Sequence, residues 1–470
     1  MATKRLFGTS GIRGVVGEDI TPILALQVGV LYGVWLKAHT DEDNRTVAVA
    51  HDNRPGADVL AHAAANGFIS AGMHVDFLGC VSTGVLAAFM ESHCGGLMVT
   101  ASHMPQGRIS IIPLFANGHY CDSDVTDILE EGIRAWEGIE TIADPENIGN
   151  VTIVSEEQSR MLYLQKMPQH ILLRSRIANR SFRLLMDPGN GTAGRVAKEL
   201  FESVGCRIET LHYEQKPVPD RPSECRAETC GEAIAQTVER GCHIGVCFDG
   251  DADRVLFITG KGDVLPDSVV GAIFARHYVQ EGQVIVTPEN ASGLVEVIAK
   301  ERGARVEYSR IGQPSTGTAI RAHGATFAYE EAAGKFGFFE LACAYDGPFA
   351  VLKMLEIMAR RGKSLAELAA EIPQFFQKAI KIDVPDAKKD AVVADAIPRL
   401  RQVLDGQTSK ETAIGGIKVF LREGSWVLIR PSGTEPLVRV YTDTRVSQVR
   451  ADALAELGAI CFKEAIAAIG

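Results

Sequence analysis

Short runs of apolar residues recur along the chain, and each run ends in a polar turn. Residues 46–50 lead into such a turn, which is followed by an alanine-rich helical stretch, Gly72 and a second apolar strand. The same order starts again at Arg183 and at Val284. Each unit is typical of a strand, a turn, a helix, a glycine cap and a second strand, so the chain carries a weak internal repeat.

The strands of these units lack the polar alternation of a half-exposed sheet. Apolar strands joined by helical crossovers pair in parallel and are covered by helices on both faces. We therefore predict related α/β domains with mostly parallel mixed sheets, whose ligands bind beyond the carboxyl ends of the strands. After Ile372 the pattern changes, which predicts a smaller C-terminal α+β domain and a linker at residues 373–378.

The length of 470 residues exceeds the size at which one hydrophobic core stops growing. We predict four domains, with bounds 1–150, 151–255, 256–372 and 373–470. The net charge of −11 argues against nucleic acid as a partner, because binding to phosphate backbones needs a basic face. No apolar run is long enough to span a bilayer, so we expect no membrane partner and a small-molecule ligand.

Ten cysteines are scattered without a Cys-x-x-Cys pair, which suits a reducing compartment. The spacings Cys225-x₄-Cys230 and Cys242-x₄-Cys247 are loose for a zinc site, and Cys247 lies inside a strand, so we interpret these residues as buried thiols. No leading segment has the pattern of a signal peptide. We expect a cytoplasmic protein.

The loop after the apolar run 244–248 carries three carboxylates at alternate positions, Asp249, Asp251 and Asp253. Like charge at this density is tolerated only where a hard divalent cation neutralises it, and in phosphate chemistry this is usually Mg²⁺. A calcium-binding EF-hand loop is excluded, because Arg254 and Gly260 stand where it needs Gly and Glu.

Two other interpretations of this loop stay open. One is a solvated acidic turn, although such turns rarely follow directly on a buried strand. The other is an enzyme: the pattern Asp251-x-Asp253-x-Val255 also resembles the nucleophile loop of haloacid-dehalogenase-type phosphatases. In that case Asp251 is the nucleophile and free phosphate is the product.

Two further strand ends carry polar side chains. The strand 97–100 leads into Ser102 and His103, which places a hydroxyl beside an imidazole, although a serine in such a turn more often caps its own backbone. The strand that ends at Ile429 leads into a loop of the type that binds phosphate without a metal, with Arg430, Ser432, Gly433 and Thr434. An ordinary hairpin turn has no use for Arg, Ser and Thr together.

Together these motifs resemble those of the α-D-phosphohexomutases, the family that contains phosphoglucomutase, phosphomannomutase and phosphoglucosamine mutase. Residues 7–14 are similar to the opening motif of the family and residues 100–105 to its phosphoserine loop. Residues 249–254 are similar to its metal loop and residues 430–436 to its phosphate-binding loop. The resemblance implies three related α/β domains and a smaller C-terminal domain around a central cleft.

The resemblance also implies the activity and the roles of residues. The expected reaction interconverts sugar 1-phosphates and sugar 6-phosphates through a phosphoserine at Ser102 and a bisphosphate intermediate. The implied Mg²⁺ ligands are a phosphoryl oxygen on Ser102 and the carboxylates of Asp249, Asp251 and Asp253. Arg13 and Arg254 would lie near the phosphoryl group, Glu331 would hold sugar hydroxyls, and the residues 430–434 would bind the second phosphate.

The chain departs from the family pattern on the sugar side. Ile112 takes the place of a lysine, Ala333 that of a serine, and Lys335 stands where a histidine is frequent. His103 and Lys335 are therefore the candidates for acid–base catalysis. Since the metal side is intact, we expect a changed substrate specificity. A paralogue that binds sugar phosphates without turnover is the remaining alternative.

Overall fold

The computed structural model describes residues 5–8, 10–41, 43–116, 118–137, 143–331, 334–339, 345–432 and 436–469. Within these ranges the strands form four sheets. No helix in the described part of the chain is both long and apolar enough to cross a membrane.

The first unit holds a seven-stranded sheet. Its elements are β1 (Phe7–Gly8), β2 (Gly11–Val15), α1 (Pro22–His39), β3 (Thr46–His51), α2 (Ala57–Ser70), β4 (His74–Cys80), α3 (Thr83–Phe89), β5 (Gly95–Thr100), β6 (Arg108–Phe115), α4 (Ser123–Arg134) and β7 (Val151–Ile153). The strand order is β1-β2-β6-β5-β3-β4-β7. Strand β7 pairs in parallel with β4, so residues 151–153 belong to this sheet and not to the second.

The second unit has the strand order β11-β10-β8-β9. Its elements are α5 (Glu156–Lys166), α6 (Arg174–Arg180), β8 (Arg183–Asp187), α7 (Gly194–Ser203), β9 (Arg207–Thr210), α8 (Gly231–Glu239), β10 (Ile244–Phe248) and β11 (Val255–Thr259). Strand β11 runs antiparallel to β10, which places residues 255–259 in this sheet.

The third unit has the order β13-β12-β14-β15. Its elements are α9 (Asp267–Tyr278), β12 (Val284–Pro288), α10 (Leu294–Glu301), β13 (Arg305–Ser309), α11 (Gln313–His323), β14 (Phe327–Glu330), β15 (Lys335–Phe338), α12 (Gly347–Arg361) and α13 (Leu365–Ala370).

The fourth unit is a five-stranded antiparallel sheet with the order β16-β20-β19-β18-β17. Its elements are β16 (Phe376–Asp383), α14 (Asp386–Val403), β17 (Thr408–Ala413), β18 (Ile417–Leu421), β19 (Trp426–Pro431), β20 (Leu437–Thr444) and α15 (Gln448–Ile469).

The predicted repeat is confirmed by the sheet topology. In each of the first three units, three parallel strands are followed by one antiparallel strand at the same side: β4-β3-β5-β6, β9-β8-β10-β11 and β13-β12-β14-β15. Strands β5, β10 and β12 are buried along their whole length, as expected for apolar strands covered by helices.

The hydrophobic cores divide the molecule differently from the sheets. One core runs through the first three units, from Ala48 through Leu184 to Phe349. The fourth unit has a separate core that includes Val427 and Phe462. A shared core fixes the first three units relative to one another, because close-packed interiors deform little. The loops at their strand ends therefore stand in a defined arrangement.

Candidate active site

The loop after β5 is held by Asp52, which follows the neighbouring strand β3. Its Oδ2 accepts hydrogen bonds from Thr100 Oγ1 at 2.8 Å and from the Ala101 amide at 2.7 Å. The Ser102 amide in turn donates to Thr100 Oγ1 at 2.7 Å. Ser102 has a φ of 46°, in the left-handed region that few residues with a side chain adopt. Such strain persists only where the surrounding bonds impose it, and it is typical of functional sites.

The Ser102 side chain reaches the acidic loop of the second unit. Its hydroxyl donates a hydrogen bond of 2.7 Å to Asp249 Oδ2, and its Oγ lies 3.2 Å from His103 Nδ1. The two loops are far apart in the chain and meet because β5 and β10 end at the same place between the first and second units.

The acidic loop gathers its carboxylates after β10. Suitable oxygen atoms of Asp249, Asp251 and Asp253 all lie within 4.8 Å of one another. Each of these residues is 1% exposed, so the interpretation as a solvated acidic turn is wrong. Ala252 has a φ of 58°, and this left-handed turn closes the loop around its carboxylates.

Residues of the first and second units form hydrogen bonds with the acidic loop. Thr83 donates its hydroxyl to Asp251 Oδ2 at 2.9 Å and its amide to the Asp251 carbonyl at 3.0 Å. The Thr192 amide donates to the Gly250 carbonyl at 2.9 Å. A side chain at Gly250 would place its Cβ 2.9 Å from the Ser102 carbonyl oxygen, so the close approach of the two loops requires glycine there.

The electrostatics of the loop fit a divalent cation. Burial, with the charge of Asp253, raises the pKa of Asp249 to about 6, and burial raises the pKa of Asp251 far above its usual range. Asp251 Oδ1 and Asp253 Oδ1 are buried and accept no hydrogen bond from the described residues. Hard oxygen ligands in this number and charge suit Mg²⁺. Within the described ranges, this is the only group of three or more such side chains close enough to share a metal ion.

Two arginines stand beside the carboxylates. Arg254 Nε lies 3.7 Å from Asp249 Oδ2, and burial, which lowers the pKa of Arg254, is outweighed by the charges of these aspartates, which raise it. Arg13 donates from Nε to Ser110 Oγ at 3.2 Å, and burial lowers its pKa. Arg254 therefore adds positive charge beside Asp249, and Arg13 interacts electrostatically with Asp253 and Asp251.

The two acid–base candidates differ in their surroundings. His103 Nε2 lies 3.5 Å from Arg254 Nη2, and burial together with Arg254 and Arg13 lowers the pKa of His103 to about 2. Its imidazole is therefore neutral. Lys335 is 4% exposed, and its Nζ forms an ion pair with Asp253 Oδ2. The ammonium of Lys335 thus reaches the acidic loop, whereas Ile112 on β6 is 3% exposed within the hydrophobic core.

The structure places Glu331 away from this group. Its Oε1 accepts hydrogen bonds from the Ser292 amide at 2.8 Å and from the Tyr329 hydroxyl at 3.1 Å. Its Oε2 accepts from Gln377 Nε2 at 3.0 Å, and Gln377 belongs to the fourth unit. Burial raises the pKa of Glu331 to about 7. Its recorded partners therefore lie at the boundary of the third and fourth units.

Arg430, at the end of β19, lines a cavity of about 630 Å³ between the first, third and fourth units. Arg5, Arg310 and Asp386 line the same cavity, so its lining holds three arginines and one aspartate. Ser432 is 5% exposed and donates its amide to the Leu437 carbonyl at 2.9 Å. The predicted residues Gly433 and Thr434, like Ala333, lie outside the described residues.

Some site residues were not predicted from the sequence. Asp52 and Thr83 fix the two loops, and neither stands in a motif. Asp52 had a detectable signal, because it follows a buried strand directly, as Asp249 does. Thr83 had none, because its partner Asp251 is remote in the chain.

Comparison with known proteins covers nearly the whole chain. The sequence profiles for phosphoglucomutase/phosphomannomutase alpha/beta/alpha domains I, II and III match residues 4–139, 161–262 and 266–376, and the profile for the C-terminal domain matches residues 380–457. A probable phosphoglucosamine mutase from Methanococcoides burtonii is 31% identical over 455 residues, which cover 96% of this chain and 98% of that protein. A phosphopentomutase from Thermococcus kodakarensis is 29% identical over 462 residues, which cover 96% of each chain.

Solved structures show the same fold. A phosphoglucomutase/phosphomannomutase family protein from Burkholderia thailandensis superimposes with a TM-score of 0.84 at 22% identity, over 99% of this chain and 98% of that one. The N-acetylphosphoglucosamine mutase of Aspergillus fumigatus, in complex with GlcNAc-6P and magnesium, has a TM-score of 0.60 at 14% identity and covers 98% of this chain and 96% of that one.

Four profiles in chain order, together with relatives that match nearly end to end, define the class as isomerases that interconvert sugar phosphates. The chain belongs to the phosphoglucomutase/phosphomannomutase family. The predicted family, the predicted fold and the predicted enzyme class are confirmed. The interpretation as a haloacid-dehalogenase-type phosphatase is not supported by these matches.

Proposed function

We propose that the protein interconverts the 1-phosphate and the 6-phosphate of a hexose through a phosphoserine at Ser102 and a bound bisphosphate. The observation that carries this proposal is the 2.7 Å hydrogen bond from the Ser102 hydroxyl to Asp249 Oδ2. A serine that donates a phosphoryl group and later accepts one must lie at the metal loop, where cations neutralise the oxygens of the transferred phosphoryl group.

The proposed metal ligands are the carboxylates of Asp249, Asp251 and Asp253 and a phosphoryl oxygen on Ser102. The free, buried oxygens Asp251 Oδ1 and Asp253 Oδ1 support this choice. When bound there, Mg²⁺ neutralises charge on the phosphoryl oxygens. Arg254 and Arg13 stabilise the same charge from the protein side.

Proton transfer is assigned to Lys335, with His103 as a neutral hydrogen-bond partner of Ser102. The Lys335 side chain is buried and its ammonium contacts Asp253, which places its N–H groups beside the acidic loop that binds the Ser102 hydroxyl. His103 is a weak base, since its pKa is lowered to about 2 by burial and by the nearby arginines. It holds the Ser102 oxygen in place and leaves acid–base work to Lys335.

The bisphosphate must turn around so that its other phosphate faces Ser102. This requires a second phosphate-binding site, or grip, away from Ser102. We assign that grip to Arg430 and Ser432, with Gly433 and Thr434 completing the loop. The three arginines of the adjoining cavity support an anionic occupant. The separate core of the fourth unit supports a grip that yields while the intermediate turns.

For the sugar, we propose hexose phosphates of the glucose, mannose or glucosamine type. The probable phosphoglucosamine mutase of M. burtonii and the phosphoglucomutase/phosphomannomutase of T. kodakarensis, 29% identical over 468 residues, support this range. The phosphopentomutase relative makes a pentose phosphate the necessary comparison substrate.

The test begins with intact and peptide mass spectrometry for a phosphate on Ser102. It continues with a panel of hexosamine, hexose and pentose 1-phosphates, assayed with Mg²⁺ and a hexose bisphosphate. Isomer formation without free phosphate supports the proposal. Release of inorganic phosphate as the main product would instead identify a phosphatase, and binding without any product would identify the non-catalytic paralogue.

A further inference from the structure

A buried lysine lies beside the phosphate-binding loop of the fourth unit, residues 430–436. Lys389 is the fourth residue of α14, and only 8% of its surface is exposed. A buried ammonium is costly unless acceptors bind it, and a positive charge at the start of a helix opposes the helix dipole. Neither burial nor helix formation therefore favours a lysine here, and the reason for it lies in its contacts.

The ammonium of Lys389 joins the loop to the helix. Its Nζ donates a hydrogen bond of 2.7 Å to the carbonyl oxygen of Ser432. It also forms an ion pair with Asp386 at the start of α14. A hydrogen bond from a charged donor is stronger than one between neutral groups, so the contact with Ser432 is a firm one.

The chain around the start of α14 holds both described ends of the loop. The Val384 amide donates to the Pro436 carbonyl at 2.9 Å, and Lys389 binds the Ser432 carbonyl. The Ser432 amide donates to the Leu437 carbonyl at 2.9 Å. The peptide groups before and after Ser432 are therefore both fixed by partners outside the loop.

The charges at this place are arranged in favour of an anion. Arg430 and Pro431, directly before Ser432, line the cavity in which a phosphate is proposed to bind. A backbone carbonyl oxygen carries partial negative charge, and the bond from Lys389 offsets that charge at Ser432. Asp386 lines the same cavity, and its ion pair with Lys389 offsets a carboxylate that would oppose a phosphate.

We propose that Lys389 is a positioning residue for the phosphate-binding loop. Its ammonium fixes the Ser432 carbonyl and thereby holds residues 430–434 in the arrangement that binds a phosphate group of the sugar. This inference rests on the proposed function of the loop. Lys389 acts through the backbone of Ser432, and its ion pair with Asp386 has the smaller role of balancing charge.

The experiment compares Lys389→Met with the unchanged full-length protein. Methionine keeps an unbranched apolar chain but has no donor, so the Ser432 carbonyl loses its partner. Calorimetry with the 6-phosphates of glucose, mannose and glucosamine is expected to show binding that is about tenfold weaker, the usual loss for a bond with a charged donor. The KM should rise by a similar factor and kcat should change little, because ground state and transition state lose the same binding.

Three further variants separate positioning from other roles. Lys381→Met, which changes an exposed lysine on β16 of the same unit, should bind like the unchanged protein. Lys389→Arg keeps a charged donor and should restore most of the binding. In a protein that carries Asp386→Asn, Lys389→Met should weaken binding by the same factor, because the bond to Ser432 is lost there too.

Full binding by Lys389→Met would overturn the proposal, and so would a loss that disappears in the presence of Asp386→Asn, since Lys389 would then only balance charge. Weak binding by a folded Lys389→Arg protein would also overturn it, and this can be measured even where Lys389→Met does not fold. Calorimetry needs no turnover, so absence of isomerase activity contradicts only the proposed function. Failure of the unchanged protein to bind any of the three probes would contradict both.

Discussion

The two ends of the candidate active site are built in opposite ways. At the reacting end, Ser102 and the acidic loop are tied by hydrogen bonds across two units that share one hydrophobic core. The other end, which contains Arg430 and Ser432, is called the gripping end. There the fourth unit has its own core and meets the third unit through buried charges. Rigid placement suits the atoms that react, and a polar boundary suits a unit that must yield while an intermediate turns.

The polar boundary is centred on Lys418. Its Nζ donates to the Glu289 carbonyl at 2.8 Å and lies 4.0 Å from the centre of the Trp426 ring. Burial lowers the pKa of Lys418 to about 8 and raises that of Asp443 to about 6. Glu289 Oε1, Asp443 Oδ2 and Trp426 Nε1 are buried without a hydrogen-bond partner among the described residues. The third and fourth units thus meet through buried polar groups, whereas the first three units share one hydrophobic core.

The largest expected effect follows from removing the Ser102 hydroxyl at the reacting end. Ser102→Ala should lower isomerase turnover by about 10⁴-fold or more, because the covalent route loses its nucleophile. Ser203→Ala, at the end of α7, is the matched control and should keep full turnover. Steady-state assays of both variants give the answer, and substantial turnover in Ser102→Ala contradicts the phosphoserine route.

The second prediction concerns the metal. Asp251→Asn keeps an acceptor for Thr83 and removes a carboxyl group whose ionisation is disfavoured by burial, so the metal-free protein should become more stable and lose much of its stabilisation by Mg²⁺. Turnover should fall by about 100-fold. Thermal shift titrations with Mg²⁺ measure the first effect, with Glu202→Gln on the exposed side of α7 as the control. Equal Mg²⁺ stabilisation of Asp251→Asn and the unchanged protein would exclude Asp251 as a ligand.

The third prediction concerns the gripping end. Arg430→Ala should raise the KM for the sugar phosphate by about 10- to 100-fold, the usual value of a charge-assisted hydrogen bond to phosphate. Phosphate on Ser102 should be unaffected, because the reacting end does not depend on the fourth unit. Arg422→Ala, in an exposed turn of the same unit, is the control. A change in phosphorylation with an unchanged KM would reverse the assignment.

The sequence indicated that the serine loop and the acidic loop lie at strand ends, because this information is local. Asp249, Asp251 and Ser102 follow buried strands, and the ends of such strands converge in an α/β fold. The repeat was readable for the same reason, since each unit shows its strands as apolar runs. Strand β17 was not predicted, because Thr408–Ala413 is a polar edge strand without an apolar run.

At the gripping end, the position of each side chain depends on contacts with residues that are far away in the chain. Glu330 and Glu331 are neighbours, yet Glu330 accepts a hydrogen bond from Gln313 Nε2 while Glu331 bonds to Ser292 and Gln377. Which carboxylate faces which side depends on the register of β14 and on where the fourth unit docks. Neither can be derived from the order of residues around Glu331, so its assignment to sugar hydroxyls stays a prediction.

The prediction with the smallest expected effect concerns the pH dependence of protein stability at the polar boundary. Burial raises the pKa of Glu331 from 4.5 to about 7, so the folded protein holds a proton there that the unfolded chain releases. Stability from this group is therefore complete below pH 4.5 and is lost as the pH rises through 7. Glu331→Gln removes the charge, so its free energy of unfolding should exceed that of the unchanged protein by about 1–3 kcal/mol at pH 8 and not at pH 4.5. Urea unfolding at both pH values measures this difference. If the difference in free energy of unfolding between the two proteins is the same at pH 4.5 and pH 8, then burial does not raise the pKa of Glu331.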